Sequence, residues 1–244
     1  MSDREHTEQI VIPGRFRGPP RSANGGYACG VIAEPLHGDV TVRLSAPPPL
    51  DTELVLQTAN GETRLLHGDT LLGTGRSAQL DLVPPAAPTF AEAESASRGY
   101  VGHTVHPFPT CFVCGPRRAA GDGLRIFPGP VAGRDIIASP WIPEPSLGDG
   151  SGAIDRIYLW SALDCSGAFA VLPDSSGQTI VLGEMTARIR ASITAGERYV
   201  VIGWSLGGDG RKRYAGSAVF AEDGSEVATA RATWIEVPLA SFAG

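Results

Sequence analysis

The chain has 244 residues, 42% of them hydrophobic and 19% charged, with a formal net charge of −6. That length suits one large domain or two small ones around a sizeable core, and the acidic balance leaves no whole-chain electrostatic footprint for nucleic acid. No apolar run approaches the roughly 20 residues of a membrane span, and the polar start lacks the charged-then-apolar shape of a secretory signal, so a cytoplasmic protein without a membrane partner is expected. Cysteines at 29, 111, 114 and 165 are too few and too uneven for a disulfide scaffold, which predicts reduced thiols.

After a polar tail, residues 9–16 read as a short strand. A Pro-rich entry then passes Ser22 and Asn24, either of which suits a helix N-cap, into Gly25, Gly26 and a short apolar helix stopped by Pro35. Paired glycines at a helix entrance let a ligand come close to free backbone N–H groups. Residues 39–44, 54–56 and 64–66 alternate polar and apolar, with turns at Asp51-Thr52, Asn60-Gly61 and His67-Gly68, and residues 78–83 close an antiparallel meander. Prolines followed by small and acidic residues over 84–98 predict a linker with one exposed helical turn.

Beyond it, 124–127 and 135–139 read as strands, and a Pro/Gly/Asp-rich loop over 140–152 precedes the run 155–171. There Ile157, Trp160, Ser161, Asp164, Cys165, Ala168 and Val171 recur at three- and four-residue steps, predicting a helix that is apolar almost all round. Between Tyr158 and Leu172 it carries one ionisable carboxylate, Asp164, and a buried carboxylate must be protonated, paired or put to use. Residues 184–193, 199–204, 214–220 and 226–237 then form a second meander.

The order strand, helix, meander thus occurs twice. Tyr27-Ala-Cys-Gly30 aligns with Leu163-Asp-Cys-Ser166, and residues 40–56 align with 185–201. The expected units are 1–84 and 109–244, with 85–108 as the linker. A helix that is apolar all round needs something wrapped about it, so the predicted fold class is α+β, two antiparallel sheets each wrapped around a central helix.

Three motifs resemble a known family. Cys111-Phe-Val-Cys-Gly115, followed by Gly123-Leu124, is similar to the Cys-Phe-x-Cys-Gly…Gly-Leu opening of many hotdog-fold thioesterases. Asn24-Gly25-Gly26 resembles their His-Gly-Gly helix entrance with Asn in place of His, and Ser161-Ala-Leu-Asp164 resembles their helical Ser-Leu-Ala-Asp segment. The resemblance covers nearly the whole chain as a double hotdog, two fused units. It implies hydrolysis of an acyl-thioester, carried by coenzyme A or by an acyl carrier protein, with no cofactor beyond the coenzyme A moiety of the substrate, and a homo-oligomer of double hotdogs.

In such enzymes helix-entrance N–H groups polarise the thioester carbonyl while a helical Asp or Glu acts as base or nucleophile. Here the first half keeps the glycine entrance and the second keeps the carboxylate, so the resemblance implies one composite site. Its expected parts are Asp164 as base or nucleophile, Gly26 as N–H donor, Asn24 as orienting group, and Gly25 and Trp160 against the substrate. Phe169, Met185 and Trp204 are further candidates for setting tunnel depth, and Arg211, Arg213, Arg117 and Arg118 for meeting the phosphates of coenzyme A. The plainer alternatives are a purely structural, hydrogen-bonded Asp164 and a simple capping turn at Asn24.

A non-catalytic double hotdog that binds an acyl ligand or a protein is the competing class. Hotdog hydratases, the third choice, use an Asp with a His five residues on, and no Asp of this chain has one. Finally, His103, His106, Cys111 and Cys114 place four residues of zinc-ligand type within twelve positions. Pro107 and Pro109 stiffen that segment, and a buried turn of reduced thiols with no metal is the preferred reading, zinc on those four the lesser one.

Overall fold

A computed structural model describes residues 6–148, 150–173 and 177–242. Residues 1–5 of the expected polar tail and Asp149 of the expected loop lie outside the described residues. The first part of the chain runs β1 (His6–Val11), α1 (Gly25–Ala33), β2 (Val40–Leu44), β3 (Glu53–Ala59), β4 (Glu62–His67), β5 (Thr70–Ser77) and α2 (Phe90–Ser97). The second runs β6 (Gly129–Pro130), β7 (Ile137–Trp141), β8 (Ala153–Ile154), α3 (Arg156–Ala170), β9 (Gln178–Ile189), β10 (Ile193–Thr194), β11 (Tyr199–Asp209), β12 (Lys212–Ala221) and β13 (Glu226–Pro238).

Each half is an antiparallel sheet over its own helix, in which the strand after the helix pairs with the last strand of the half and not, as a simple meander would, with the next. The two sheets meet edge to edge. In the order β1-β3-β4-β5-β2-β9-β13-β12-β11-β7-β6 they form a continuous 11-stranded sheet, with β8 and β10 as a separate pair. The seam is the antiparallel pairing of β2 with β9, from Val40 opposite Ala187 to Arg43 opposite Glu184. Side chains tie it on both flanks: the Thr41 and Thr186 hydroxyls lie 2.6 Å apart, and the half-buried Arg188 guanidinium meets Asp39 at 2.9 Å.

Alternation explains the strands. Val40 and Val42, Leu54 and Leu56, and Thr63 and Leu65 are buried while their neighbours are more exposed, the period of two that a half-buried sheet imposes. The helices are apolar on every side because each has the sheet on one flank and the other helix on the next. At the helix crossing α1 offers Gly26 and Gly30. A Cβ on Gly26 would stand 2.4 Å from the Trp160 carbonyl oxygen and 2.6 Å from Asp164 Cβ, and one on Gly30 would stand 2.6 Å from Ile157 Cγ1. The backbones touch, and the start of α1 is pressed onto the middle of α3.

Three expected elements differ. Residues 90–97 of the expected linker form α2, which is not an exposed turn. Thr89 and Glu92 cap it in a reciprocal pair of hydrogen bonds, and its Ala93 and Ala96 are buried against Val200, Ile202, Trp204 and Phe220. Small side chains suit it because the helix lies close on the sheet. Because side chains alternate along β11, this places Trp204 on the face of the sheet opposite to Tyr199 and Val201, which pack in the main core with α3.

Residues 78–83 add no strand. Leu80 is instead anchored by its N–H to Asp39 Oδ2 at 2.8 Å. Residues 124–127 join no ladder, since positive φ values at Gly123 (104°) and Arg125 (54°) break the extended run, and the N–H groups of Leu124 and Ile126 donate to the Phe112 and Val113 carbonyls.

Candidate active site

Asn24 is where the local and tertiary structure meet. As N-cap of α1 its Oδ1 accepts the Tyr27 N–H at 2.9 Å, which fixes the orientation of the amide and leaves Nδ2 pointing away from the helix. Nδ2 donates to Asp164 Oδ2 at 2.6 Å, across 140 positions of sequence. One side chain therefore caps α1 and holds the carboxylate of α3, so the capping and orienting readings of Asn24 coexist.

Asp164 is 3% exposed, and the Cys165 thiol lies 3.9 Å from the same Oδ2. Its other oxygen, Oδ1, is buried with no hydrogen-bond partner among the described residues. Burial pushes its carboxyl up to about 7 from the ordinary 3.8, the nearby Cys111 adds to the rise, and the bonds from Gly26, Asn24 and Cys165 oppose it.

Sulfur surrounds this pair. Asn24 Nδ2 lies 3.8 Å from Cys111 Sγ and 3.9 Å from Cys165 Sγ, and the two sulfurs are 3.8 Å apart. Cys114 Sγ is 3.4 Å from His106 Nε2. His106 Nδ1 accepts the Phe108 N–H at 2.9 Å, so in the neutral ring Nε2 carries the proton and donates to the sulfur. Burial lowers the His106 pKa and favours that neutral ring.

Asn24, Gly25, Asp164 and the three sulfurs line one cavity of about 540 Å³. Its walls are apolar, with Phe108, Phe169, Leu172, Ile180, Leu182 and Trp234 prominent, and no Arg or Lys lines it among the described residues. A cavity of that size with few convergent polar groups is the usual form of a small-molecule site.

The structure brings together Asn24, Gly25, Gly26, Asp164 and Phe169 of the expected set. Gly26 differs in detail: it is enclosed at the helix crossing against Trp160 and Asp164, and Gly25, one residue earlier, is the glycine on the cavity wall. Trp160 and Met185 are buried core residues and Trp204 lies across the sheet, none of them on the cavity wall.

Arg213 is engaged with Glu236 at 2.6 Å and with the carbonyls of Gly210 and Lys212, beside a shallow concavity that shares only Leu172 with the cavity. Arg211 sits in the same β11–β12 turn, its carbonyl accepting the Glu236 N–H. Arg118 is spent on Asp122 and on the Thr110 and Arg15 carbonyls. Cys165, Leu182, Trp234 and Phe108 are lining residues that sequence reasoning did not single out for the site. Only Cys165, next to Asp164, carried a signal.

Solved structures resemble this fold over most of their length. The chain matches acyl-CoA thioesterase II TesB2 of Mycobacterium marinum with a TM-score of 0.57 at 12% identity, covering 95% of this chain and 93% of that one. It matches a protein of unknown function with a hot dog fold from Alicyclobacillus acidocaldarius at 0.56 and 11%, covering 96% and 93%. The fold is a double hotdog. A 12:0-ACP thioesterase from Umbellularia californica gives 0.51 at 13%, covering 96% and 94%. No family model and no curated protein sequence matches the chain. At these identities the likeness is one of fold: each half of the double hotdog supplies a sheet and the helix it wraps.

The double role of Asn24 gives a graded expectation. Asn24→Ala removes a helix cap and leaves a buried carboxylate oxygen unpaired, and should lower stability by about 2–4 kcal/mol. Asn24→Ser retains an N-cap acceptor for the Tyr27 N–H and should recover about 1 kcal/mol of that loss. Urea denaturation of the two variants measures the difference, and equal midpoints would mean that capping contributes nothing.

Proposed function

We propose that this double hotdog hydrolyses an acyl-thioester with an apolar acyl group, at one composite site built from α1 of the first half and α3 of the second. The observation that carries the reading is the Asn24–Asp164–Gly26 arrangement on the wall of an apolar cavity, with one carboxylate oxygen left unpaired. Asp164 acts as the base. A water bonded to Oδ1 loses a proton to the carboxylate as its oxygen attacks the thioester carbonyl, forming the tetrahedral intermediate. The N-terminus of α1, through the Gly25 N–H at the cavity wall, faces the developing oxyanion. Collapse breaks the C–S bond, and the proton held by Asp164 goes to the departing thiolate, leaving a carboxylic acid and a thiol.

The absence of Arg and Lys among the described lining residues supports an uncharged acyl chain, because a carboxylate or phosphate buried there would have no cationic partner. The carrier stays outside, as coenzyme A or an acyl carrier protein. The test is thiol release from short, medium and long straight-chain, aromatic and carboxylate-terminated acyl-CoAs, with acyl carrier protein thioesters as a second series. Turnover is expected for an unsubstituted chain and none for the carboxylate-terminated one. Saturable binding of acyl chains without thiol release from either series would replace hydrolysis by acyl-ligand binding.

A further inference from the structure

We infer that Cys111, Cys114 and Cys165 together bind one thiophilic divalent metal ion, zinc by the chemistry of the ligands, with its fourth coordination position facing the cavity. The three sulfurs come from two distant stretches of chain, are all buried, and lie within 4.8 Å of one another. In a tetrahedral site with Zn–S near 2.3 Å, ligand sulfurs stand about 3.8 Å apart. Cys111 and Cys165 are at 3.8 Å, so only small side-chain adjustment separates this cluster from ligand geometry.

The loop carrying two of the sulfurs has the shape that such a site needs. In Cys111-Phe-Val-Cys114-Gly115 the Gly115 N–H closes the turn on the Cys111 carbonyl at 2.9 Å, which sets Cys111 and Cys114 on one side of the loop. A Cβ on Gly115 would stand 2.5 Å from that carbonyl oxygen, so the turn is closed only with glycine. Around the cluster stands a shell of donors: Asn24 Nδ2 within 3.9 Å of Cys111 and Cys165, and His106 Nε2 at 3.4 Å from Cys114. Neutral thiols are weak acceptors with little use for such a shell, whereas metal-bound thiolates are held and tuned by one.

The ligand set differs from the sequence expectation. His103 packs its ring against Tyr100 and Phe127, and the His106 ring has its Nδ1 occupied by the Phe108 N–H, which makes Nε2 a donor and not a ligand. Cys165 of α3 takes their place. Three thiolates favour zinc over the oxygen-seeking calcium and magnesium, and a small donor from the cavity, water at rest, completes the coordination.

The inference stands apart from thioester hydrolysis, because metal content is read without turnover. The full chain, purified without chelator and desalted, is expected to retain about one zinc per chain by elemental analysis. Its cobalt-loaded form should show thiolate-to-cobalt charge-transfer bands with intense tetrahedral d–d absorption. Cys114→Ser and Cys165→Ser should each lower zinc content at least tenfold, while Cys29→Ser, a buried cysteine outside the cluster, should leave it unchanged. Should the variants fail to fold, wild-type protein decides alone. Less than a tenth of an equivalent of zinc, no cobalt bands, and all four thiols free by Ellman titration in denaturant would overturn the inference. A Cys111–Cys114 or Cys111–Cys165 disulfide in freshly isolated protein would overturn it too.

Discussion

Asp164→Asn should reduce thioester hydrolysis at least a hundredfold while leaving the fold intact. A positioned general base contributes roughly 10²- to 10⁴-fold, and an amide at 164 cannot accept the proton of the attacking water. The substitution is nearly isosteric. Its carbonyl oxygen still accepts from Asn24 Nδ2, the 2.6 Å bond that holds the carboxylate. It also removes an ionisable group that is 3% exposed, and a buried carboxylate without a cation opposes folding. The urea midpoint of the variant should therefore equal or exceed that of the wild type. Measured kcat/KM within threefold of wild type would remove Asp164 from the chemistry and leave it a structural group.

The second large effect is expected at Gly26. Gly26→Ala puts a Cβ 2.4 Å from a backbone carbonyl oxygen and 3.0 Å from the Ser161 Cα, atoms that move only if α1 and α3 move apart. A loss of about 3 kcal/mol is expected, the upper end for overpacking, together with loss of activity as the separating helices draw Asn24 away from the carboxylate. Gly25→Ala is the internal comparison. Its Cβ would stand 2.8 Å from Leu182 Cβ and 3.0 Å from its Cδ2 but meets no backbone atom, so a smaller loss of about 1–2 kcal/mol is expected there. Chemical denaturation of the pair measures both, and a Gly26→Ala variant no less stable than Gly25→Ala would show that the helices do not meet backbone to backbone.

The cavity asks for comparison with the residues that sequence reasoning placed in it. Phe169 lies on its wall, but Trp160, Met185 and Trp204 do not, and the reason is directional. A helix that is apolar all round presents no polar face by which to orient it, so the side of α3 on which Trp160 falls cannot be read from spacing. Along β11, residues alternate between two faces that are both buried, one by α3 and one by α2. With residues 84–98 read as a linker, no cover is legible for the face of β11 that carries Trp204.

The sequence by itself determined the local elements and their order: the apolar period of three and four in α3, the alternation in β2, β3 and β9, the glycine entrance of α1, and the succession of strand, helix and further strands in each half. It also singled out Asp164, because one carboxylate in an otherwise apolar helix is costly wherever that helix is buried. Only the tertiary structure decided what that carboxylate faces. The crossing of α1 over α3, made possible where Gly26 and Gly30 carry no Cβ, sets Asn24 and Gly26 of one half against Asp164 of the other. The loop that carries Cys111 and Cys114 packs beside Cys165 of α3. Such contacts join residues 50 to 140 positions apart, and short-range periodicity, which reports only which face of an element is apolar, holds no information about which partner that face will meet.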